Sequence, residues 1–349
     1  MNVVVLAEQL RRRVPGGIGT YIRGILDAAP LSQLSSRPER PGQWSLRPWA
    51  SGPIGRPVLS MRLPSPLATR AIDHGWLRWP SRIDGRSVDV AHATSLLVPQ
   101  RRRGGPPTTA FVHDLAWRTQ PDAYPKKGAA WHEAALGRAL ARADRFLVPS
   151  VETANALMNA GAEAGRIHVT AEGCDHLPLK ERYVGGYLLS VSTVEPRKNL
   201  PRILDAYASS GITMPLKVVG PSGWGPTMGA LPPGVELVGA VSEADLAELY
   251  AGAQLLAYVP LEEGYGLPAI EAMRAGCPVV ASMVPSVGHA AHIVDPLDVA
   301  SIAHGLRTVI ASEARQLELT ELGRAHTEAL TWSACLAAHE HVWIELCRC

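Results

Sequence analysis

The chain has 349 residues, 46% hydrophobic and 19% charged, with a net charge of +2. That length exceeds what one hydrophobic core usually serves, so two domains are expected, and a near-neutral balance argues against a nucleic-acid partner. No run of eighteen apolar residues occurs and the opening MNVVVLAEQL turns polar too early for a signal peptide, so a cytoplasmic protein is expected.

In chain order, Asn2 to Ala7 reads as a short buried strand. Ile18, Tyr21, Ile22, Ile25 and Leu26 then recur at 0, 3, 4, 7 and 8, one face of a helix. Between them lies Pro15-Gly16-Gly17-Ile18-Gly19-Thr20, whose glycines let backbone amides approach phosphate or sugar oxygens. The spacing is not G-x-G-x-x-G and no acid ends a second strand about twenty residues on, which discounts a nicotinamide site. The Pro-, Ser- and Arg-rich stretch from Pro30 to Pro57 is expected to be mostly loop or an irregular strand. Strands follow at Val88 to Ala91, Thr109 to Val112, Phe146 to Val148 and Ile167 to Thr170, with a helix over Ala129 to Ala143. His113-Asp114 and His92 fall at strand carboxyl ends, where open α/β sheets bind ligands. A satisfied structural role is an equal reading for His92.

A hinge is expected around Leu177 to Val184, dividing the chain into domains 1–179 and 180–330. The second half repeats the alternation, with strands at Leu188, Leu216 to Val219, Val235 to Val238, Leu255 to Val259 and Val279 to Ala281. Ser242 opens a helix through an S-x-x-D start. The alternation predicts an α/β protein with parallel sheets. Five cysteines, Cys174, Cys277, Cys335, Cys347 and Cys349, have neither CxxC nor zinc-like spacing, and the last two are expected in a frayed tail. The clusters Arg11 to Arg13 and Arg101 to Arg103 read as solvated loops or as contacts to anionic lipid or an anionic acceptor.

Two stretches carry chemistry. Tyr187 to Ser192 is a buried strand that runs into Thr193-Val194-Glu195-Pro196-Arg197-Lys198-Asn199 before a helical pattern at Leu200, Ile203, Leu204 and Tyr207. A forked Arg and a point-charge Lys at such a junction suit a diphosphate. The second stretch, EGYGLPAIEAMRAGCPVVAS from Glu263 to Ser282, reads strand, glycine turn, helix, with Pro268 in the first turn. Its unpaired amides and half-positive helix end invite an anion, and the acids Glu263 and Glu271 could accept hydrogen bonds from sugar and ribose hydroxyls.

The E-x7-E spacing in EGYGLPAIEAM, the EPRKN run, GG-x-G at Gly16, Gly17 and Gly19, and FVHDLAW resemble the family-4 retaining glycosyltransferases. Val219 to Gly225 and Val238 to Val241 resemble the bacterial mannosyltransferases among them. The resemblance implies the GT-B architecture, two Rossmann-like domains facing a central cleft, with a last helix of about 331–349 packed onto the first domain. It implies transfer of a sugar, mannose from GDP-mannose as first expectation and UDP-sugars next, to an acceptor hydroxyl with retention. The catalytic group would be His113, Arg197, Lys198 and Glu263. Gly16, Gly17, Gly19, Gly264, Tyr265, Gly266, Leu267 and Glu271 would bind the donor. No metal or other cofactor is expected, because no DxD pair occupies a strand-end loop. The acceptor would be a glycan, a lipid-linked molecule or a small molecule, with peripheral contact to the inner membrane face as a further expectation. Two features depart from the pattern. Glu172-Gly173-Cys174-Asp175 stands where the family has an Asn-Gly-Val-Asp sequence, and Glu262 adds a negative charge, most simply turned to solvent. A nucleotide-sugar 2-epimerase would use the same fold without an acceptor. A glycosyl phosphorylase would need a pyridoxal-phosphate lysine setting, and a non-catalytic sugar-binding module would have no reason to keep the whole set.

Overall fold

A computed structural model describes residues 1–29, 45–55, 57–223 and 230–348. The chain forms two compact units: Met1–Leu115 with Pro125–Gly173 and Trp332–Cys349, and Ala116–Tyr124 with Cys174–Thr331. The division falls after Gly173, a few residues before the hinge read from the sequence.

In chain order the first elements are β1 (Asn2–Leu6), α1 (Gly16–Ala28), β2 (Ser45–Ala50), β3 (Leu59–Ser60), α2 (Ser65–Asp73), a small hairpin of β4 (Arg82–Ile83) and β5 (Arg86–Ser87), β6 (Val90–Ala93) and β7 (Thr108–Phe111). Then come α3 (Ala116–Thr119), α4 (Lys126–Arg142), β8 (Arg145–Val148), α5 (Val151–Asn159) and β9 (Ile167–Val169). The first unit's sheet has the order β3-β2-β1-β6-β7-β8-β9, and all its pairings are parallel. Val3, Val4 and Val5 of β1 are fully buried, the continuous apolar run of a strand covered on both faces.

Residues 45–50 take the strand alternative of the expectation for Pro30 to Pro57. They form a regular strand along β1, with Val5 opposite Pro48. Pro48 is tolerated because β3 pairs only with Trp49 and Ala50, so its missing N–H costs no ladder bond. Residues 30–44 of that stretch lie outside the described residues.

The second unit contains β10 (Tyr187–Val191), α6 (Leu200–Ser210), β11 (Leu216–Val219), β12 (Val235–Gly239), α7 (Glu243–Gly252), β13 (Ala253–Tyr258), α8 (Leu267–Arg274), β14 (Val279–Ala281), β15 (His292–Ile293), α9 (Val299–Ile310) and α10 (Glu313–Thr327). Its sheet is parallel in the order β12-β11-β10-β13-β14-β15. The Ser242 cap is present, its hydroxyl accepting from Asp245 N–H at 3.1 Å. The core joins Leu188, Leu255 and Val280 of the sheet to Ile203, Leu204, Ile302 and Leu306 of α6 and α9.

The last helix, α11 (Trp332–Arg348), belongs to the first unit. Trp332 packs so closely on α1 that a Cβ on Gly24 would stand 2.1 Å from its ring. Cys347 therefore ends a helix rather than a frayed tail; Cys349 lies outside the described residues. Cys174, Cys277 and Cys335 are buried free thiols, and burial pushes the first two up to about 12.

Candidate active site

Strands β10 and β13 are neighbours in the second sheet, so the loops leaving their carboxyl ends run side by side. From β10 the chain passes through a 3-10 turn, Pro196–Lys198, into α6, and from β13 through the glycine turn into α8. Leu261 N–H donates to the Arg197 carbonyl at 2.9 Å, stitching the loops together. This adjacency brings the two cations onto the first acid of the E-x7-E pair. Arg197 Nη1 donates to Glu263 Oε2 at 2.9 Å and Nη2 to Glu195 at 3.0 Å, while Lys198 Nζ and the Tyr258 hydroxyl, the latter at 2.6 Å, both reach Glu263 Oε1. Burial alone would raise the Glu263 carboxyl, but Lys198 and Arg197 outweigh it and hold it down at about 2. Glu195 shifts upward instead, because its burial outweighs Arg197 and Lys198. The difference follows from geometry: Glu263 accepts from three side-chain donors, whereas Glu195 is bound on one side.

Glu262 does not simply turn to solvent. Its carboxylate accepts from the Thr119 hydroxyl and its carbonyl accepts from Arg197 Nη1 at 2.9 Å. Asn199 ends the cationic turn in a left-handed conformation, φ 61, and its amide donates to Val259 O at 3.0 Å and Pro296 O at 2.7 Å. It pegs the start of α6 to the end of β13. Gly220 and Gly223, read from the sequence only as a family likeness, have a steric reason here. A Cβ on them would stand 2.0 Å from Ser192 O and 2.3 Å from Val194 O, so the loop after β11 lies directly against the backbone that leads to Arg197. Trp224 and Gly225 lie outside the described residues.

Gly264, Tyr265, Gly266 and Leu267 are buried. Gly266, at φ 109, opens α8 without a side-chain cap, and a Cβ there would meet Ser286 Oγ at 2.8 Å. The turn thus needs glycine for conformation and for close packing. Glu271 lies one turn further on and is 8% exposed. Tyr250 donates to its Oε2 at 2.9 Å, and His176 Nε2 stands 3.3 Å from Oε1. Sequence reading missed Tyr250, Tyr258 and His176, which lie on other elements with no distinguishing spacing.

In the first unit, His113 leaves β7 with both ring nitrogens engaged. Nε2 is 3.0 Å from the Thr94 carbonyl and Nδ1 is 3.2 Å from Glu172 Oε1. The departure residue Glu172 is therefore buried, 3% exposed, and aimed at His113. The glycines lie in the first turn of α1, not in a loop before it, and a 3-10 turn, Glu8–Arg11, fills the space after β1. Gly16 and Gly17 are exposed, while Gly19 is buried and a Cβ on it would strike Pro15 at 2.2 Å. Tyr21, one turn further, meets the His113 ring edge-on at 5.1 Å.

His92 takes the structural reading. It is fully buried in a chain of hydrogen bonds that runs in one direction when His339 is neutral. Trp343 Nε1, which can only donate, binds Thr109 Oγ1 at 3.1 Å, and His339 Nδ1 binds the Cys335 carbonyl, which can only accept, at 2.7 Å. Between them Thr109 donates to His92 Nδ1 at 2.8 Å, His92 Nε2 to the Tyr21 oxygen at 2.8 Å, and the Tyr21 hydroxyl to His339 Nε2 at 2.7 Å. These roles require both histidines to be neutral. Burial agrees, lowering His92 well below its usual range and His339 to about 4.

Two parallel sheets flanked by helices, with a cation pair and a glycine turn at neighbouring strand ends, are the features of a GT-B glycosyltransferase. A "Glycosyltransferase Family 4" model matches residues 35–176 and a "Glycosyl transferases group 1" model matches 185–312. The chain is 30% identical over 276 residues to the O-antigen chain mannosyltransferase B of Escherichia coli, covering 70% of this chain and 71% of that one. It is 28% identical over 204 residues to the serotype-specific mannosyltransferase WbdA of Escherichia coli, covering 54% of this chain but only 24% of that one. Among solved structures, Anabaena HepE in complex with UDP and glucose superposes with a TM-score of 0.69 at 15% identity, covering 99% of this chain and all of that one. Sucrose-phosphate synthase from Thermosynechococcus elongatus gives 0.67 at 18%, covering 99% of each. The chain belongs to the family 4, group 1 glycosyltransferases.

Proposed function

We propose that the protein transfers mannose from GDP-mannose to an acceptor hydroxyl with retention at the anomeric carbon and without a metal ion. The observation that carries this reading is the convergence of Arg197 and Lys198 on Glu263, beside an uncapped helix start. A donor diphosphate could exchange one or both cations away from the carboxylate, and negative charge growing on the leaving nucleotide would strengthen those contacts. Amides of the Gly264 to Leu267 turn add to them. Glu263 keeps lone pairs beyond its three bound donors for a sugar hydroxyl, and Glu271, oriented by Tyr250, is the ribose acceptor. His113 keeps the family role beside the sugar or β-phosphate, with Glu172 holding its ring. Gly16 and Gly17 offer exposed amides to the donor, whereas Gly19 serves packing.

The activities of the related mannosyltransferases support mannose, and the O-antigen chain on which one of them acts supports a growing glycan, free or lipid-linked, as acceptor. No helix among the described residues is long and apolar enough to cross a membrane, which suits a protein working at the inner membrane face from the cytoplasm.

The test is incubation with GDP-mannose and with UDP-sugars, each with and without a mannan-type acceptor. GDP release that depends on the acceptor, with an α-linked product by NMR, supports the reading. An isomerised donor without release makes the protein an epimerase, and release only from UDP-sugars rejects GDP-mannose.

A further inference from the structure

The two acids of the E-x7-E pair are held in different ways. Glu263 is gripped by Arg197 and Lys198, whereas the oxygens of Glu271 are divided between a tyrosine and a histidine from two other parts of the chain. Glu271 lies on the buried face of α8, where a carboxylate needs partners to stay charged. Tyr250, fully buried on α7, donates to Oε2 at 2.9 Å. Burial pushes its hydroxyl well above the usual range, so it remains a donor. His176 Nε2 stands 3.3 Å from Oε1, and an ionised carboxylate can only accept, so the imidazole presents an N–H there.

His176 belongs to neither helix. It lies in the connecting segment just after the unit boundary at Gly173. Its neighbours fix that segment in place. Cys174 N–H donates to Leu330 O at 2.9 Å, the Cys174 thiol reaches the same carbonyl at 3.3 Å, and Cys174 and Leu177 are both buried. Pinned on both sides and itself largely buried, the imidazole is the group this connector extends to Glu271.

Each carboxylate oxygen has two lone pairs. With Tyr250 on one oxygen and His176 on the other, one lone pair remains on each. We infer that His176 is a positioning residue for nucleotide recognition: with Tyr250 it fixes the carboxylate plane of Glu271 so that each oxygen takes one of the two vicinal hydroxyls of a donor ribose. Held by Tyr250 alone, the carboxylate could turn about its last torsion, which is soft in glutamate, and give up the second hydroxyl. The inference rests on Glu271 being the ribose acceptor, and it adds that a residue of the connector enforces the demand for both hydroxyls.

The test is calorimetric titration of the purified full chain with GDP and 2′,3′-dideoxy-GDP, and with UDP and 2′,3′-dideoxy-UDP. In the pair that binds more tightly, the parent should prefer the ribonucleotide at least about tenfold, since two hydrogen bonds to a carboxylate are at stake. His176→Phe and His176→Leu remove the donor; each should weaken the ribonucleotide about fivefold and leave the dideoxy form unchanged, which also shows that the variant is folded. His176→Gln, whose amide can donate in place of the Nε2 hydrogen, should recover most of the loss. A parent indifferent to the hydroxyls would overturn the ribose role of Glu271 and this inference with it. A parent that discriminates, with donor-free variants that discriminate equally well or a His176→Gln that recovers nothing, would overturn the role of His176 alone and leave that of Glu271 standing.

Discussion

Replacing Glu263 by Gln tests whether this carboxylate is the electrostatic keystone of the cation pair. Its carboxyl lies at about 2 against an ordinary 4.5, which corresponds to roughly 3 kcal/mol in favour of the ionised form in the folded chain. Because the folded value is depressed, this stability is complete above the unfolded value near 4.5 and disappears as pH falls toward about 2. Glu263→Gln should therefore lower the unfolding free energy by about 3 kcal/mol at pH 7, with a difference that shrinks as the pH drops below 4.5. The variant leaves Lys198 without its carboxylate partner and Arg197 with Glu195, so a nucleoside diphosphate should stabilise it at least as much as the parent. Urea unfolding with and without GDP, repeated down to about pH 4, measures all three. A variant within about 0.5 kcal/mol of the parent at pH 7, the range of an ordinary surface change, would refute the reasoning.

Turnover should survive EDTA, and loss that Mg²⁺ or Mn²⁺ restores would show that Arg197 and Lys198 do not carry the diphosphate charge alone. Tyr250→Phe should weaken nucleotide binding about fivefold, the worth of one hydrogen bond that orients Glu271, while leaving kcat unchanged; a calorimetric titration of GDP decides. Glu172→Ala should lower kcat/KM about tenfold by freeing the His113 ring, and Glu172→Gln, whose amide can still bond Nδ1, should recover most of it. His339 is depressed to about 4 in the fold, so it costs nothing above its unfolded value near 6.5 and destabilises as pH falls from there toward 4. His339→Gln should flatten the tryptophan-monitored acid transition over that window.

The architecture was legible because buried strands and helix faces announce themselves locally. Val3 to Val5, Ile22 with Ile25, and Leu255 to Val259 each signal their element within a few residues. The turn around Gly266 was equally local, since a positive φ and a following Pro268 leave few alternatives. Pairings across the sheet were not legible. Nothing within Arg197 and Lys198 says that β13 will be the neighbour of β10, and so the three donors that meet Glu263 were not visible in the sequence. His92 resembled a ligand for the same reason, its partners Tyr21 and His339 being supplied by helices far away in sequence. Glu172 looked like a departure from a motif until the fold set it against His113.

The hydrogen-bonded chain from Trp343 to Cys335 also imposes an order on biosynthesis. Tyr21 is fully buried and its hydroxyl needs His339, so the first unit cannot satisfy its own interior from residues that emerge early. At ribosomal speeds of roughly 5–20 residues per second, β7 waits on the order of ten to fifty seconds for Trp343 to be made. By the end of that interval every strand of the second unit, whose residues end at Thr331, has been made. The half of the protein translated first is thus completed last, with a nascent sheet open along α1 where a chaperone could hold it.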